Sequence, residues 1–212
     1  MFLLFDMDGV LLDSMPLWLE LAARYLRAQA RVPEAGIFQR IAKMTMRQCA
    51  EYLREHYHLP QTPEQIVNGL DGMAASFYQT EAPLKPGVAE TLAELRRRGH
   101  ICAVATATDR PLAEAAFRRT GIAAHFDRIF TCSEFGLPKT SPEFYQRILA
   151  ELHIPPKRLI VIEDVLHAIE TAKHAGIDTI ALYDEASRAN WPRIQATATH
   201  ACQTFPDLLN LL

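Results

Sequence analysis

The chain has 212 residues, of which 49% are hydrophobic and 22% are charged, and its formal net charge is −3 at pH 7. This length can bury one substantial core, or a core domain with a smaller companion. The weak negative charge gives no reason to expect nucleic acid or an anionic membrane as a partner. Asp6 interrupts the N-terminal apolar run and no basic leader precedes it, so we expect neither a signal peptide nor a membrane span.

The four cysteines are scattered along the chain and form no CxxC pair. This distribution is typical of reduced thiols that pack as small hydrophobic side chains. We therefore expect a cytoplasmic protein without disulfides. The cysteines are Cys49, Cys102, Cys132 and Cys202.

Asp6 and Asp8 follow the first predicted strand, Phe2–Phe5, and Gly9 comes directly after them. The apolar run is typical of a buried parallel strand, and open α/β sheets bind ligands beyond the carboxyl ends of their strands. Two carboxylates this close disfavour each other's ionisation unless a cation lies between them, and hard oxygen ligands favour Mg²⁺. The alternative is that both aspartates only cap a turn.

The segment 15–85 has helical periodicity and no strand signal. Thr45 is placed to cap one helix of this segment. Thr62 opens a capping-box pattern with a proline at the first helical position, which predicts a helix over residues 64–79. We therefore expect residues 15–85 to form a helical subdomain inserted after the first strand.

From residue 86 onward the pattern alternates between helix and strand. This order implies an α/β fold with a doubly wound, mostly parallel sheet, formed by residues 1–14 and 86–212. The tail from Trp191 is expected to hold only a short edge strand and a helix. The predicted strands are 101–105, 129–132, 159–162 and 179–182, and the predicted helices include 111–120, one that begins near Ser141, and 166–175.

Thr106 and Ala107 follow the second predicted strand. A hydroxyl and a backbone N–H in such a turn can hold a phosphate group. Capping of the next helix by Thr106 or Thr108 is an equally reasonable interpretation of the same residues.

Lys139, Glu163 and Asp164 also stand next to predicted elements of the sheet layer. Lys139 precedes a helix, where its charge can neutralise a nucleophilic carboxylate and a phosphoryl group, although an isolated lysine there would be a surface residue. Glu163 and Asp164 directly follow an apolar strand, so one of the two acids must face the same edge of the sheet as Asp6.

The string DMDGVLLDS at residues 6–14 resembles the first motif of the haloacid dehalogenase (HAD) superfamily, DxDGxxxDS/T. Later stretches resemble the other three motifs: an apolar run into Thr106, the segment GLPKTSPEFY, and an apolar strand into the Glu163–Asp164 pair. The third departs from the usual KPxPxxF/Y because Thr140 stands where the first proline is common. The resemblance implies a HAD-like Rossmannoid core, residues 1–14 and 86–212, with a helical cap domain, residues 15–85. It is strongest to the subgroup of β-phosphoglucomutases and phosphoglycolate phosphatases.

The resemblance implies a Mg²⁺-dependent phosphatase that hydrolyses a small phosphate monoester through an aspartyl-phosphate intermediate. Asp6 is then the nucleophile and Asp8 the proton donor and acceptor. Thr106, with the Ala107 N–H, binds phosphoryl oxygens, and Lys139 neutralises charge. The implied metal site consists of Asp6, Asp8, Glu163 and Asp164, with Asp164 directly on the metal and Glu163 either bound through water or placed behind the direct ligands.

A sugar-phosphate mutase is the main alternative. Mutases of this type resemble the chain in the paired aspartates and in a cap arginine, for which Arg47 is the counterpart, but they carry a histidine where Trp18 stands and a cap lysine that has no counterpart between Lys43 and Lys85. Arg47, Trp18 and Lys43 are the substrate-binding candidates, and packing within the cap is the alternative role of Trp18.

Two further functions are less favoured. A dehalogenase is disfavoured because a paired aspartate and a metal site are features of phosphate chemistry. A non-catalytic binding module would keep the fold and use the cap as an interaction surface. We expect a small phosphorylated metabolite as the partner, and a monomer or weak homodimer as the assembly.

Overall fold

Within residues 1–41 and 44–212, which the computed structural model describes, six parallel strands form a single sheet. Their order across the sheet is β3-β2-β1-β4-β5-β6, so β1 lies between β2 and β4. The expected doubly wound, parallel architecture is confirmed. The strands are β1 (Phe2–Phe5), β2 (Ile101–Thr106), β3 (Arg128–Thr131), β4 (Leu159–Glu163), β5 (Asp178–Leu182) and β6 (His200–Cys202).

The chain divides into two units, and the regular elements in the described part of the smaller unit, Ser14–Glu81, are all helices. Thr45 and Thr62 each accept a hydrogen bond from the backbone N–H three residues later and form complete capping boxes, as their sequence patterns predict. The helices of this unit are α1 (Met15–Ala28), α2 (Ile37–Ile41), α3 (Met46–His56) and α4 (Pro63–Thr80).

The larger unit combines Met1–Asp13 with Ala82–Leu212 and contains the whole sheet. Among its helices and those of the smaller unit, none in the described ranges is long and apolar enough to cross a membrane. The helices of the larger unit are α5 (Val88–Arg97), α6 (Arg110–Thr120), α7 (Cys132–Phe135), α8 (Pro142–Leu152), α9 (Leu166–His174), α10 (Trp191–Thr197) and α11 (Leu208–Leu211).

Strand β1 is buried on both faces of the sheet. Leu4 packs in a cluster with Phe144 and Ile148 of α8 on one face, and the Phe5 ring stacks on Phe205 with centroids 5.8 Å apart. Burial on both sides explains why the strand reads as a continuous apolar run rather than an alternating one. Phe5 pairs in register with Val104 of β2 and Ile162 of β4, so the residues that follow these three strands emerge at one edge of the sheet.

Two sequence expectations differ from the structure in detail. Strand β3 ends at Thr131 and not at Cys132, because the Thr131 hydroxyl accepts a hydrogen bond from Glu134 N at 3.2 Å and caps the short helix α7. The tail contains helix α10 before the edge strand β6, in addition to the short helix α11. At the end of β3 a local capping hydrogen bond overrides the apolar pattern.

Candidate active site

Three acidic side chains meet where β1 and β4 end. Asp6 follows β1, Glu163 is the last residue of β4, and Asp164 comes next. Each offers a carboxylate oxygen within 4.8 Å of the other two. All three are buried, with exposed fractions of 8%, 1% and 1%. The parallel pairing of two adjacent strands therefore concentrates negative charge at one point of the sheet edge.

Lys139 lies inside this acidic cluster. Its ammonium donates to Asp6 Oδ1 and to Glu163 Oε1, the second at 2.8 Å. The loop before α8 carries the lysine and is closed by a hydrogen bond from Ser141 N to Pro138 O at 2.9 Å. When all three carboxyl groups are ionised, they and the ammonium together carry a charge of −2, which one divalent cation neutralises.

Burial and mutual repulsion shift the proton affinities of this cluster. Burial raises the pKa of Asp6 to about 8, and the charge of Glu163 adds to the rise while Lys139 opposes it. Burial, followed by the charges of Glu163 and Asp6, holds the pKa of Asp164 well above its ordinary value. Burial lowers the pKa of Lys139, but the carboxylates of Asp6 and Glu163 outweigh this and raise it. Without a cation these shifts favour the protonated forms of Asp6 and Asp164, and a bound cation would favour their ionised forms.

Asp164 has a carboxylate oxygen that could hold a metal ion. Its Oδ1 atom is buried and has no hydrogen-bond partner within the described part of the chain. Glu163 differs, because Oε1 accepts from Lys139 and Oε2 accepts from the N–H groups of Asp164 and Val165, at 2.9 and 3.3 Å. Once ionised, a buried carboxylate oxygen without a donor is stabilised by a cation, and divalent cations such as Mg²⁺ prefer carboxylate oxygens. Asp6 and Asp164 thus fit as direct ligands, with Glu163 held by neighbouring donors.

Asp8 lies outside the cluster formed by the three buried carboxylates of the described chain. Its Oδ2 atom accepts a hydrogen bond from the Thr108 hydroxyl at 2.8 Å. Thr106, fully buried at the end of β2, accepts from Thr108 N at 3.0 Å, and Ala107 is exposed between the two threonines. The role of Asp8 as a metal ligand stays a prediction, and the structure orients its carboxylate through the loop after β2.

Three residues that no sequence motif identifies also contact this region: Thr108, Ser187 and Lys85. Thr108 does not cap α6, since Asp109 is the capping residue and makes no side-chain capping bond. Ser187 Oγ lies 3.4 Å from Asp164 Oδ2, and Lys85 Nζ lies 2.7 Å from Gly9 O. The sequence offers one signal for Thr108, because its hydroxyl is the second one in the turn, two residues after Thr106. The other two residues have no local signal, because they reach the site from distant parts of the chain.

The candidates on the helical unit have partners within that unit. Arg47 forms ion pairs with Glu51 at 3.1 Å and Glu64 at 3.2 Å. Trp18 is half-buried and donates its ring N–H to the Tyr78 hydroxyl at 3.1 Å. Their role in substrate binding stays a prediction. Lys43 lies outside the described residues.

Comparisons with known proteins place these observations in a family. A family model of hydrolases, the haloacid dehalogenase-like hydrolases, matches residues 2–176. The chain is 28% identical over 177 residues to the phosphorylated carbohydrates phosphatase of Thermotoga maritima, a match that covers 84% of this chain and 82% of the relative. It is 30% identical over 215 aligned residues to tyrosine-protein kinase PtkA of Mycobacterium tuberculosis, covering 99% of this chain and 71% of the relative.

The solved structures give the same architecture. A crystal structure of CbbY from Rhodobacter sphaeroides in complex with xylulose-1,5-bisphosphate matches with a TM-score of 0.77 and 25% sequence identity. This match covers 98% of the present chain and 95% of CbbY. The fold of the present chain is therefore shared with CbbY over nearly its whole length.

Proposed function

This chain belongs to the haloacid dehalogenase-like hydrolase family and is a phosphoric monoester hydrolase, and on that basis we propose that it dephosphorylates a small phosphorylated carbohydrate. The proposal includes a requirement for Mg²⁺ and an aspartyl-phosphate intermediate on Asp6. The observation that carries it is the buried cluster in which Lys139 contacts Asp6 and Glu163 while an oxygen of Asp164 stays without a donor. The substrate class is supported by the relatives, one named for phosphorylated carbohydrates and one bound to a sugar bisphosphate.

In the first step, an Asp6 oxygen attacks phosphorus in line with the leaving oxygen. The Asp6–phosphorus bond forms as the bond from phosphorus to the alcohol breaks. Protonated Asp8 gives its proton to the leaving alkoxide. Lys139 neutralises the charge shared by Asp6 and the transferring group. Because Thr106 Oγ1 accepts from Thr108 N, its own proton can be donated to a phosphoryl oxygen.

In the second step, water attacks the phosphorus of the aspartyl phosphate. Asp8, now ionised, accepts the proton of this water, inorganic phosphate leaves, and the Asp6 carboxylate is regenerated. The Thr108 hydroxyl holds the Asp8 carboxylate in one orientation through both steps. The same residue can thus act first as acid and then as base.

Asp6 and Asp164 are the residues that hold the divalent ion in this proposal. When bound, the ion supplies positive charge that stabilises the transferring phosphoryl group. The remaining charge stabilisation comes from Lys139, which stays charged because its pKa is raised by the carboxylates around it. The compartment we propose is the reducing cytoplasm, in which the four cysteines, all free in the structure, would stay reduced.

A sugar-phosphate mutase is the second candidate, since the chain is similar to β-phosphoglucomutase-like proteins. In that case the phosphoryl group returns from Asp6 to a sugar hydroxyl rather than to water. Trp18, whose indole is engaged by Tyr78, replaces the histidine that mutases resembling this chain carry. This difference favours water as the acceptor.

The test is phosphate release from a panel of hexose phosphates, pentose phosphates, sugar bisphosphates and non-sugar phosphate esters, with and without Mg²⁺. Asp6→Asn removes the nucleophile and should lower turnover by at least ~10³-fold. Asp178→Asn is the matched control, because it removes an exposed carboxylate at the start of β5, the end opposite the site. It should leave the rate unchanged.

Different outcomes separate the candidates. Isomerisation of β-glucose 1-phosphate in the presence of the bisphosphate, without phosphate release from any ester, would establish the mutase. Transfer from ATP to a tyrosine peptide is included because one relative is named a kinase. Turnover that persists in Asp6→Asn, or silence in every assay, would refute the proposed phosphatase, and silence would favour a binding role.

A further inference from the structure

Lys85 places a part-buried ammonium among three oxygens of the larger unit. Its Nζ atom donates to Gly9 O at 2.7 Å, to Tyr183 O at 2.9 Å and to Asp184 Oδ2 at 2.9 Å. The Lys85 side chain is 16% exposed and that of Asp184 is 7% exposed. An ammonium has three donors, so each one is used. This geometry ties the loop after β1 to the loop after β5.

The backbone around Lys85 holds the ammonium in place. Lys85 N donates to Leu11 O at 3.0 Å, and Asp13 N donates to Pro83 O at 2.9 Å. Leu12 and Leu84 form an antiparallel bridge between these two hydrogen bonds. The backbone at Lys85 is therefore fixed to the loop after β1.

On one side, Lys85 fixes the backbone that packs against Asp164. Gly9 has a φ of +83°, and its N–H donates to Leu12 O at 2.9 Å to close the turn. A Cβ atom built on Gly9 would lie 2.7 Å from Asp164 Oδ2, so this backbone is in direct contact with the carboxylate. The bond from Lys85 to Gly9 O thus sets one wall of the Asp164 position.

On the other side, Lys85 fixes the turn that carries Ser187. Asp184 Oδ1 accepts from Ala186 N at 2.9 Å, and Asp184 O accepts from Ser187 N at 3.0 Å. Ser187 Oγ then lies 3.4 Å from Asp164 Oδ2. The ion pair between Lys85 and Asp184 also balances a carboxylate whose negative charge acts on Asp164.

We propose that Lys85 is a positioning residue that orients the Asp164 carboxylate for a divalent cation, acting through Gly9 on one side and through Asp184 and Ser187 on the other. This inference rests on the proposed function, because it takes Asp164 to be a metal ligand. Lys85 itself touches neither the metal nor the substrate. Groups that hold a ligand in place affect metal affinity although they do not bind the metal.

The test is Mn²⁺ binding to the metal-free full-length protein, measured by calorimetry at a temperature where every variant is folded. Lys85→Met keeps the length of the side chain and removes the charge, and it should weaken Mn²⁺ binding 10- to 100-fold. Lys157→Met is the matched control, because Lys157 pairs with Asp178 at 3.2 Å, at the far end of the same strand β5. Unchanged affinity in Lys85→Met, or an equal loss in both variants, would overturn the inference.

Chemical rescue separates positioning from a general role in folding. Lys85→Ala leaves space for propylammonium, which restores three N–H donors, whereas tetramethylammonium brings the same charge without a donor. We expect propylammonium alone to recover Mn²⁺ affinity. Loss of affinity with no recovery, together with a lower unfolding temperature, would assign Lys85 to stability and overturn the proposal.

The premise that Asp164 is a metal ligand is tested separately, by Mn²⁺ binding to the wild type and to Asp164→Asn. Tight Mn²⁺ binding by the wild type and its loss in Asp164→Asn support the metal site on which the inference rests. Equal binding by these two proteins would refute that metal site, and the inference with it, whatever Lys85→Met does.

Discussion

Replacement of Lys139 by methionine removes the ammonium from the acidic cluster while keeping an unbranched side chain of similar length. The wild-type lysine is 9% exposed and contacts both Asp6 and Glu163. In the metal-free variant these two carboxyl groups and Asp164 are buried together without that counter-charge. The variant should therefore unfold more readily than the wild type.

The expected loss of stability follows from the burial of the ion pairs that Lys139 forms with Asp6 and Glu163. Removal of one partner of a buried ion pair costs about 3–5 kcal/mol, because the other charge stays buried without compensation. In a protein of this size, each kcal/mol lowers the unfolding temperature by roughly 2–4 °C. We expect Lys139→Met to unfold about 6–20 °C below the wild type when no metal is bound.

The difference in stability between the wild type and Lys139→Met should depend on pH in a defined direction. The pKa of Asp6 is about 8 in the folded protein, against an ordinary value of 3.8, chiefly because the group is buried. The folded state therefore holds this proton more tightly, and the contribution of Asp6 to the stability of the metal-free wild type falls as the pH rises from about 4 to about 8. Lys139 opposes the rise of that pKa, so without it the decline continues above pH 8. Between pH 8 and pH 9 the difference in unfolding free energy between the wild type and Lys139→Met should widen by about 1 kcal/mol.

Thermal unfolding of metal-free wild type and Lys139→Met, followed by circular dichroism at pH 7 and pH 9, measures both effects. Lys157→Met is the control, because its lysine is 76% exposed and an exposed ion pair contributes about 0–1 kcal/mol. An unfolding temperature for Lys139→Met equal to that of the wild type would refute the reasoning. A gap that stays the same at the two pH values would refute its electrostatic part.

Three further predictions concern the same site. Gly9→Ala should weaken Mg²⁺ binding at least ~10-fold in calorimetry, since the new Cβ atom would lie 2.7 Å from the carboxylate of Asp164, the proposed metal ligand. In Gly136→Ala the new Cβ atom would meet open space, so this control should bind Mg²⁺ normally, and equal losses in the two variants would contradict the prediction. Thr108→Val removes the hydroxyl that donates to Asp8 at 2.8 Å and should lower kcat roughly 10-fold with little change in KM, so unaltered steady-state kinetics would count against it. Because the pKa of Asp6 is about 8, Mg²⁺ uptake at pH 7 should release protons, detected by calorimetry in buffers of different ionisation enthalpy, and no release at pH 7 would contradict it.

Local sequence signals account for the elements and for the residue types at the sheet edge. Phe2–Phe5 forms a buried strand because four apolar residues in a row suit a position covered on both faces. Thr45 and Thr62 begin helices because each can accept a hydrogen bond from the N–H three residues later. These interactions act within a few residues, so the order of neighbours in the chain contains the information.

The same reasoning identifies acidic side chains after two of the strands. Asp6, Glu163 and Asp164 stand out because a charge directly after an apolar strand is poorly placed for packing. The structure brings all three within 4.8 Å of one another and adds Lys139. Their catalytic roles stay predictions, since proximity alone does not establish a reaction.

Only the tertiary structure decides which strands are neighbours and which side chains support the site. The order β3-β2-β1-β4-β5-β6 sets Asp6 beside Glu163, although they lie far apart in the chain. Lys85 meets Gly9 across 76 positions and Asp184 across 99. No periodic or capping signal spans such distances, because these contacts arise from the packing of whole strands and loops. The chain's own pattern thus determined the chemistry available at the sheet edge, and the fold determined the partners that orient it.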